Sequence, residues 1–173
     1  MTEFTIREPL PIEATRLAKL GRDVFVETFD HLYSRDDLNM FLATTYGTDI
    51  QAAQIADPDM GLQIAEAGGE WIGYARVAPL GLPFAIEGRR AGELKQLYVF
   101  KAWHGRGVAE RLMGWSMAEL RRRGYADVCL SVFSDNPRAQ RFYQRYGFEK
   151  IADYIFMVGN QADKEFVFRA TLT

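Results

Sequence analysis

The chain has 173 residues, 48% of them hydrophobic, and a formal net charge of −2. One globular domain spanning 1–173 is therefore predicted, with no electrostatic footprint for nucleic acid or an anionic membrane. A lone cysteine, Cys129, excludes an internal disulfide framework, and two histidines, His31 and His104, leave too few ligands for a zinc site, so no metal is expected.

The N-terminal residues carry no basic region followed by an apolar core, and no apolar run reaches membrane-spanning length, so a cytoplasmic setting is expected. Phe4-Thr5-Ile6-Arg7 alternates as a short strand does. Ile12, Leu17, Leu20, Val24 and Phe25 fall near helical spacing over 12–29. Leu38, Phe41 and Leu42 mark a second helix opened by Ser34. A third is predicted at about 48–56, ending before Asp57-Pro58.

Strands then dominate. Residues 62–66 and 71–77 flank Gly68-Gly69 as a hairpin, and a long Gly/Pro-containing connection covers 79–92. Next come strand 93–99, helix 105–123, strand 126–132, helix 136–145 and two strands near 148–158 and 164–172. The order βαα(α)βββαβαββ predicts an α/β (α+β) architecture: a mixed sheet of about six to seven strands with helices on both faces. Arg121-Arg122-Arg123 sits at a helix end before Gly124, where cations complement the dipole. Cys129, inside Val128–Val132, reads as a small buried hydrophobe.

Two segments carry chemistry. In the first, a strand ending at Val99 passes through a short polar loop and the glycine-bearing turn His104-Gly105-Arg106-Gly107 into an amphipathic helix. That arrangement directs the free N–H groups of a helix start at one spot and favours a phosphate. The glycines fit neither a dinucleotide fingerprint, because Glu110 stands at its third place, nor a P-loop, which needs Gly-Lys-Ser/Thr. In the second segment, Asn136 precedes Pro137 as an N-cap. Ala139, Phe142, Tyr143 and Tyr146 then share a helix face that Gly147 ends. Read alone, Tyr143 is better explained as a core aromatic than by chemistry.

Together the two segments resemble the GNAT superfamily of acetyl-CoA-dependent N-acetyltransferases. The resemblance rests on His104-Gly105-Arg106-Gly107-Val108-Ala109, against the family's Gln/Arg-x-x-Gly-x-Gly/Ala. It rests also on Asn136, Ala139, Phe142, Tyr143, Gly147 and Phe148 at the family's downstream spacing. It implies a GNAT fold, acetyl-CoA as cosubstrate, and diphosphate binding by the turn's backbone, with His104 departing from the usual Gln or Arg and Arg106 available as the cation. It further implies Tyr143 as the acid that protonates the leaving sulfur, Leu97, Tyr98 and Val99 beside the pantetheine arm, and Asn136 near the cofactor. Glu93 coincides with the general base of histone-type relatives, although a water chain serves in others.

Glu27-Thr28-Phe29, Leu97-Tyr98-Val99 and the ending Phe156–Asn160 resemble PaiA-type enzymes, which implies a polyamine acceptor. His31, Tyr33 and Glu93 are the expected acceptor contacts, the first two within an acidic stretch that includes Glu27, Asp30, Asp36 and Asp37. Acetylation of a protein N-terminus or lysine, or a non-catalytic acyl-CoA sensor, are the alternative activities. A homodimer is a possibility drawn from relatives alone.

Overall fold

The computed structural model describes residues 3–84 and 86–172. Strand β1 (Thr5–Arg7) leads through a 3-10 turn (Pro11–Glu13) into helix α1 (Ala14–Phe29). The helix thus starts two residues later than its apolar spacing predicts, because Pro11 opens the tighter turn and leaves Ile12 89% exposed. Helix α2 (Arg35–Thr45) is capped by Ser34, whose hydroxyl accepts from the Asp37 amide at 3.1 Å. Helix α3 (Thr48–Ala56) follows.

Strands β2 (Gly61–Ala67) and β3 (Glu70–Pro79) form the expected hairpin, with Gly68 and Gly69 at φ 57° and 83°. Strand β4 (Ala91–Val99), helix α4 (Val108–Arg122), strand β5 (Asp127–Phe133), helix α5 (Pro137–Gln144) and strands β6 (Glu149–Val158) and β7 (Gln161–Thr171) complete the chain.

The seven strands form one sheet in the order β1-β2-β3-β4-β5-β7-β6. Every neighbouring pair is antiparallel except β4 and β5. Because side chains alternate across a strand, each face carries its own core. On one face Leu17, Leu20 and Val24 of α1 pack on Ile64, Trp71 and Tyr74. On the other, Val108 and Leu112 of α4 pack on Ala65, Ile72, Ala75 and Val99, continuing into Met113, Leu120, Val128, Leu130 and Phe168. Phe25, Phe41, Leu42 and Tyr46 join α1 and α2 to Val158 of β6.

Cys129 is fully buried, as expected, and burial pushes its thiol up to about 11. The three arginines at the end of α4 hold specific partners. Arg121 donates to the Leu172 carbonyl at 3.0 Å, Arg122 and Arg123 pair with Glu119, and Arg123 also donates to the carbonyls of Pro58 and Met60.

Asp127, at the start of β5, has no solvent-exposed side-chain surface. It accepts from Arg89 in the preceding connection and from Arg169 of β7 at 3.2 Å. Desolvation works against its charge, but the two guanidinium groups overcome it and hold the carboxyl below its ordinary range. One buried carboxylate therefore joins the approach to β4, the start of β5 and the end of β7. Asp127→Asn should lower the unfolding free energy by about 1–3 kcal/mol at neutral pH, read by urea denaturation. The native carboxyl releases its proton more readily than the unfolded one, whose value is near ~3.9. Its contribution is thus complete above that pH and fades as acid takes the solution below it. The Asp127→Asn variant should lack that part of the acid loss.

Candidate functional site

The site begins where the sheet parts. β4 and β5 pair over only three residues, Ala91↔Asp127, Gly92↔Val128 and Glu93↔Cys129. Beyond these, β4 continues along β3 while β5 stays paired with β7 as far as Phe133↔Glu165. Lys95 lies in a bulge: Arg76 opposes Gln96 and Val77 opposes Leu94, so Lys95 has no cross-strand partner. The extra residue bends β4 away from β5.

The antiparallel register fixes what β4 presents to this gap. The Phe100 amide donates to the Ile72 carbonyl at 3.0 Å. Alternation along the strand then turns the amides of Tyr98 and Gln96 toward β3, and those of Leu97 and Val99 away from it, into the opening.

Two cavities of about 450 Å³ each meet there, sharing Gln96, Tyr98, Ser131, Phe133 and Glu165 among their walls. The first runs between β4, β5 and α5 and is lined by Leu97, Tyr98, Val99, His104, Ala109, Asn136 and Tyr143. Seven of the residues expected around a cofactor are thus brought together. Gly105, Arg106, Gly107 and Val108 do not line it. Val108 is buried in the core, and the Arg106 guanidinium stands 5.3 Å over the Trp103 ring.

The cation beside His104 is Arg138 instead, which the sequence reading passed over. It donates to His104 Nδ1 at 2.6 Å, and Nε2 contacts the Val99 carbonyl at 2.8 Å. Because a guanidinium only donates, Nδ1 must accept and Nε2 carries the proton. His104 therefore ties the end of β4 to the first turn of α5. Asn136 is a cap as well as a wall residue, its side-chain oxygen accepting from the Ala139 amide at 3.2 Å.

At the start of α4, the first intrahelical bond runs from the Arg111 amide to the Gly107 carbonyl at 3.0 Å. The amides of Val108, Ala109 and Glu110 are left without helical partners, and no side chain of the described residues caps them. Gly107 has φ 84°, and a Cβ placed on it would meet no protein atom. Its requirement for glycine inside the protein is therefore backbone conformation, not space.

Tyr143 lies on α5 with its ring 5.5 Å from Phe142 and 5.8 Å from Phe148. Burial, and then the charge of Glu165, raise its proton affinity far above the usual phenol range. The hydroxyl stays protonated and able to donate at any working pH.

The second cavity lies between α1, α2 and the strands β3, β4, β6 and β7, with Phe25, Phe29, Phe41, Tyr46 and Phe156 among its walls. Tyr33 lines it, its hydroxyl donating to Asp163. Glu93 lines it too: Oε2 accepts from the Gly81 amide at 2.7 Å and Oε1 is 3.6 Å from Lys95 Nζ. His31 does not; it belongs to the wall of the first cavity. The acidic stretch expected around the acceptor is occupied otherwise. Glu27 accepts from the Lys101 amide at 2.9 Å, and Asp37 accepts from the Asn160 amide at 2.7 Å. Neither lines the second cavity, nor do Asp30 and Asp36.

The carboxylates the sequence reading missed are Asp163 and Glu165, both on β7 and both in this wall. Their spacing of two residues was the available signal, since it puts them on one face with the buried Val167. Glu165 borders both cavities. Burial, and then the charge of Asp163, raise its proton affinity, against a hydrogen bond from Ser131.

Comparison with known proteins gives the family and relatives of the fold. Residues 25–148 match the Acetyltransferase (GNAT) family. An uncharacterised N-acetyltransferase of Mycobacterium tuberculosis is 31% identical over 139 residues, 80% of each chain. One from Lactobacillus delbrueckii subsp. lactis is 24% identical over 163 residues, 88% of each. The fold is similar to that of the PaiA N-acetyltransferase of Thermoplasma acidophilum in complex with coenzyme A. The TM-score is 0.78 at 17% identity, over 98% of this chain and 99% of that one.

Two glycines of this region should respond in opposite ways. Gly107→Ala forces a side chain into a left-handed backbone and should lower stability by about 1–2 kcal/mol. Gly114 is exposed inside α4 with open space around it, and Gly114→Ala should raise stability by about 0.5–1 kcal/mol. Paired urea titrations measure both.

Proposed function

Because the chain belongs to the GNAT acetyltransferase family, we propose that it transfers acetyl from acetyl-CoA to a small primary amine. The carrier would lie in the first cavity and the amine in the second. One observation carries the reading: the cavity that holds the open edge of β4 and Tyr143 adjoins a second one, with Glu165 in the wall of both. A polyamine, expected from the sequence resemblance, is one such amine.

Each chemical requirement has a candidate residue. The Leu97 and Val99 amides suit the amide groups of a pantetheine arm, which would extend the open edge of β4. An amide aimed at the thioester carbonyl would stabilise the developing negative charge. The unpaired amides at the start of α4 suit the diphosphate. An alkylammonium, with a pKa near ~10, must lose a proton before its nitrogen attacks the carbonyl carbon. Glu93, the expected base, already accepts a backbone amide and faces Lys95. Glu165 is better suited, because it borders both cavities and, among the described residues, has no cation beside it. As the carbon–sulfur bond breaks, Tyr143 delivers its proton to the departing thiolate and regains one from solvent.

The deciding experiment is an acetyl-CoA turnover assay against small amines, polyamines and peptides. Tyr143→Phe should lower turnover roughly ten- to a thousandfold with coenzyme A affinity kept. Unchanged turnover removes the hydroxyl from the reaction, and preferred turnover of peptides replaces the small amine with a protein acceptor. Glu165 works in its ionised form and holds its proton above the ordinary carboxylate range. The wild-type rate should therefore fall as pH drops through that raised value. Glu165→Gln should lower turnover more than Glu93→Gln does and should lose the acidic limb of the pH–rate profile.

A further inference from the structure

Arg76 is a charged residue of the second cavity to which acetyl transfer gives no task. It stands on β3 opposite Gln96, is 3% exposed, and lines the cavity. Its Nη2 donates to Gln51 Oε1 at 2.7 Å, and its Nε is buried without a hydrogen-bond partner among the described residues. Among the described residues, the ionisable groups acting on it are the hydroxyls of Tyr74 and Tyr46, and no carboxylate is among them. A guanidinium removed from water with no anion is strongly unfavourable.

The other charges of the cavity show what is missing. Lys95 faces Glu93 at 3.6 Å. Asp163 accepts from the Tyr33 hydroxyl and from Gln161 Nε2 at 2.9 Å. Glu165 has the Ser131 hydroxyl and no cation. Among the described residues, Arg76 is thus left without an anion, and Asp163 and Glu165 without a cation, Asp163 holding two neutral donors and Glu165 one. Glu165 lies where the cavities join, and Arg76 borders the second cavity only.

We propose that the acceptor is a zwitterion, an amine bearing its own carboxylate, bound with the carboxylate on Arg76 and the amino group toward Glu165. This describes an amino acid or a small relative of one, with the ring-lined walls taking an apolar side chain. A polyamine would set a second ammonium against Arg76. The planar fork of a guanidinium matches a carboxylate, which fixes the far end of the acceptor and so aims its nitrogen. The proposal rests on the second cavity being the acceptor site and narrows what that site takes.

The test compares matched acceptors, each amino acid beside its decarboxylated amine: phenylalanine with phenethylamine, lysine with cadaverine. Wild type should favour the carboxylated member by roughly 10- to 100-fold in kcat/KM. Arg76→Met should bring that ratio toward one, and Arg76→Lys should keep part of it. A second arm needs no turnover. N-acetylphenylalanine should raise the wild-type Tm more than N-acetylphenethylamine does, and the difference should vanish in Arg76→Met. That variant should itself melt at or above wild type, since it removes an unpaired buried charge. A lower Tm with an unchanged acceptor ratio assigns Arg76 to the scaffold and overturns the proposal. Equal turnover of matched members, or a preference for polyamines, overturns the zwitterion and leaves acetyl transfer standing. If no amine is acetylated, Arg76-dependent stabilisation by the acetylated acid upholds the ligand class while acetyl transfer falls; without that stabilisation both fall.

Discussion

Three paired residues hold β4 to β5, and the opening beyond them is the constraint on which the rest of the structure depends. The sheet stays intact on both sides, because β4 keeps β3 and β5 keeps β7. The bulge at Lys95 turns one strand away, and Asp127 with its two arginines fastens the closed end of the wedge. Buried backbone donors seldom remain unpaired. Amides turned into such a gap are accordingly suited to a ligand that brings carbonyl groups of its own.

The wedge also organises charge. Helix α5 sets Tyr143 on one side of it, and β7 sets Glu165 on the other, close enough for the carboxylate to raise the phenol's hold on its proton. His104 spans the same opening by joining the Val99 carbonyl to Arg138. A side chain that breaks the family's usual choice thus has a structural task, fixing the end of β4 to the first turn of α5.

What the sequence made legible was what depends on local spacing. The three N-terminal helices, the Gly68-Gly69 turn, the Ser34 and Asn136 caps and the α4 glycines all follow rules that act within a few residues. The paired segments around His104 and Tyr143 were enough to indicate the family. The second cavity was not legible in the same way. Its walls come from elements far apart in the chain, and the acidic stretch nearest in sequence proved to fasten Lys101, through Glu27, and Asn160, through Asp37. The spacing of Asp163 and Glu165 was there to be read, but neither they nor Arg76 belongs to a cavity until β7 and β3 are seen to turn those side chains inward. A charge within Trp71–Val77 was a visible anomaly, but alternation alone did not say which face would be closed over.

Cys129 has a practical consequence. Transfer of an acyl group from a thioester frees a sulfhydryl, and the chain's one cysteine is sealed in the centre of the sheet with its proton tightly held. A chromogenic reagent that reacts with accessible sulfhydryls would therefore record released coenzyme A against almost no background from the enzyme, and progress curves could be followed continuously without altering the polypeptide.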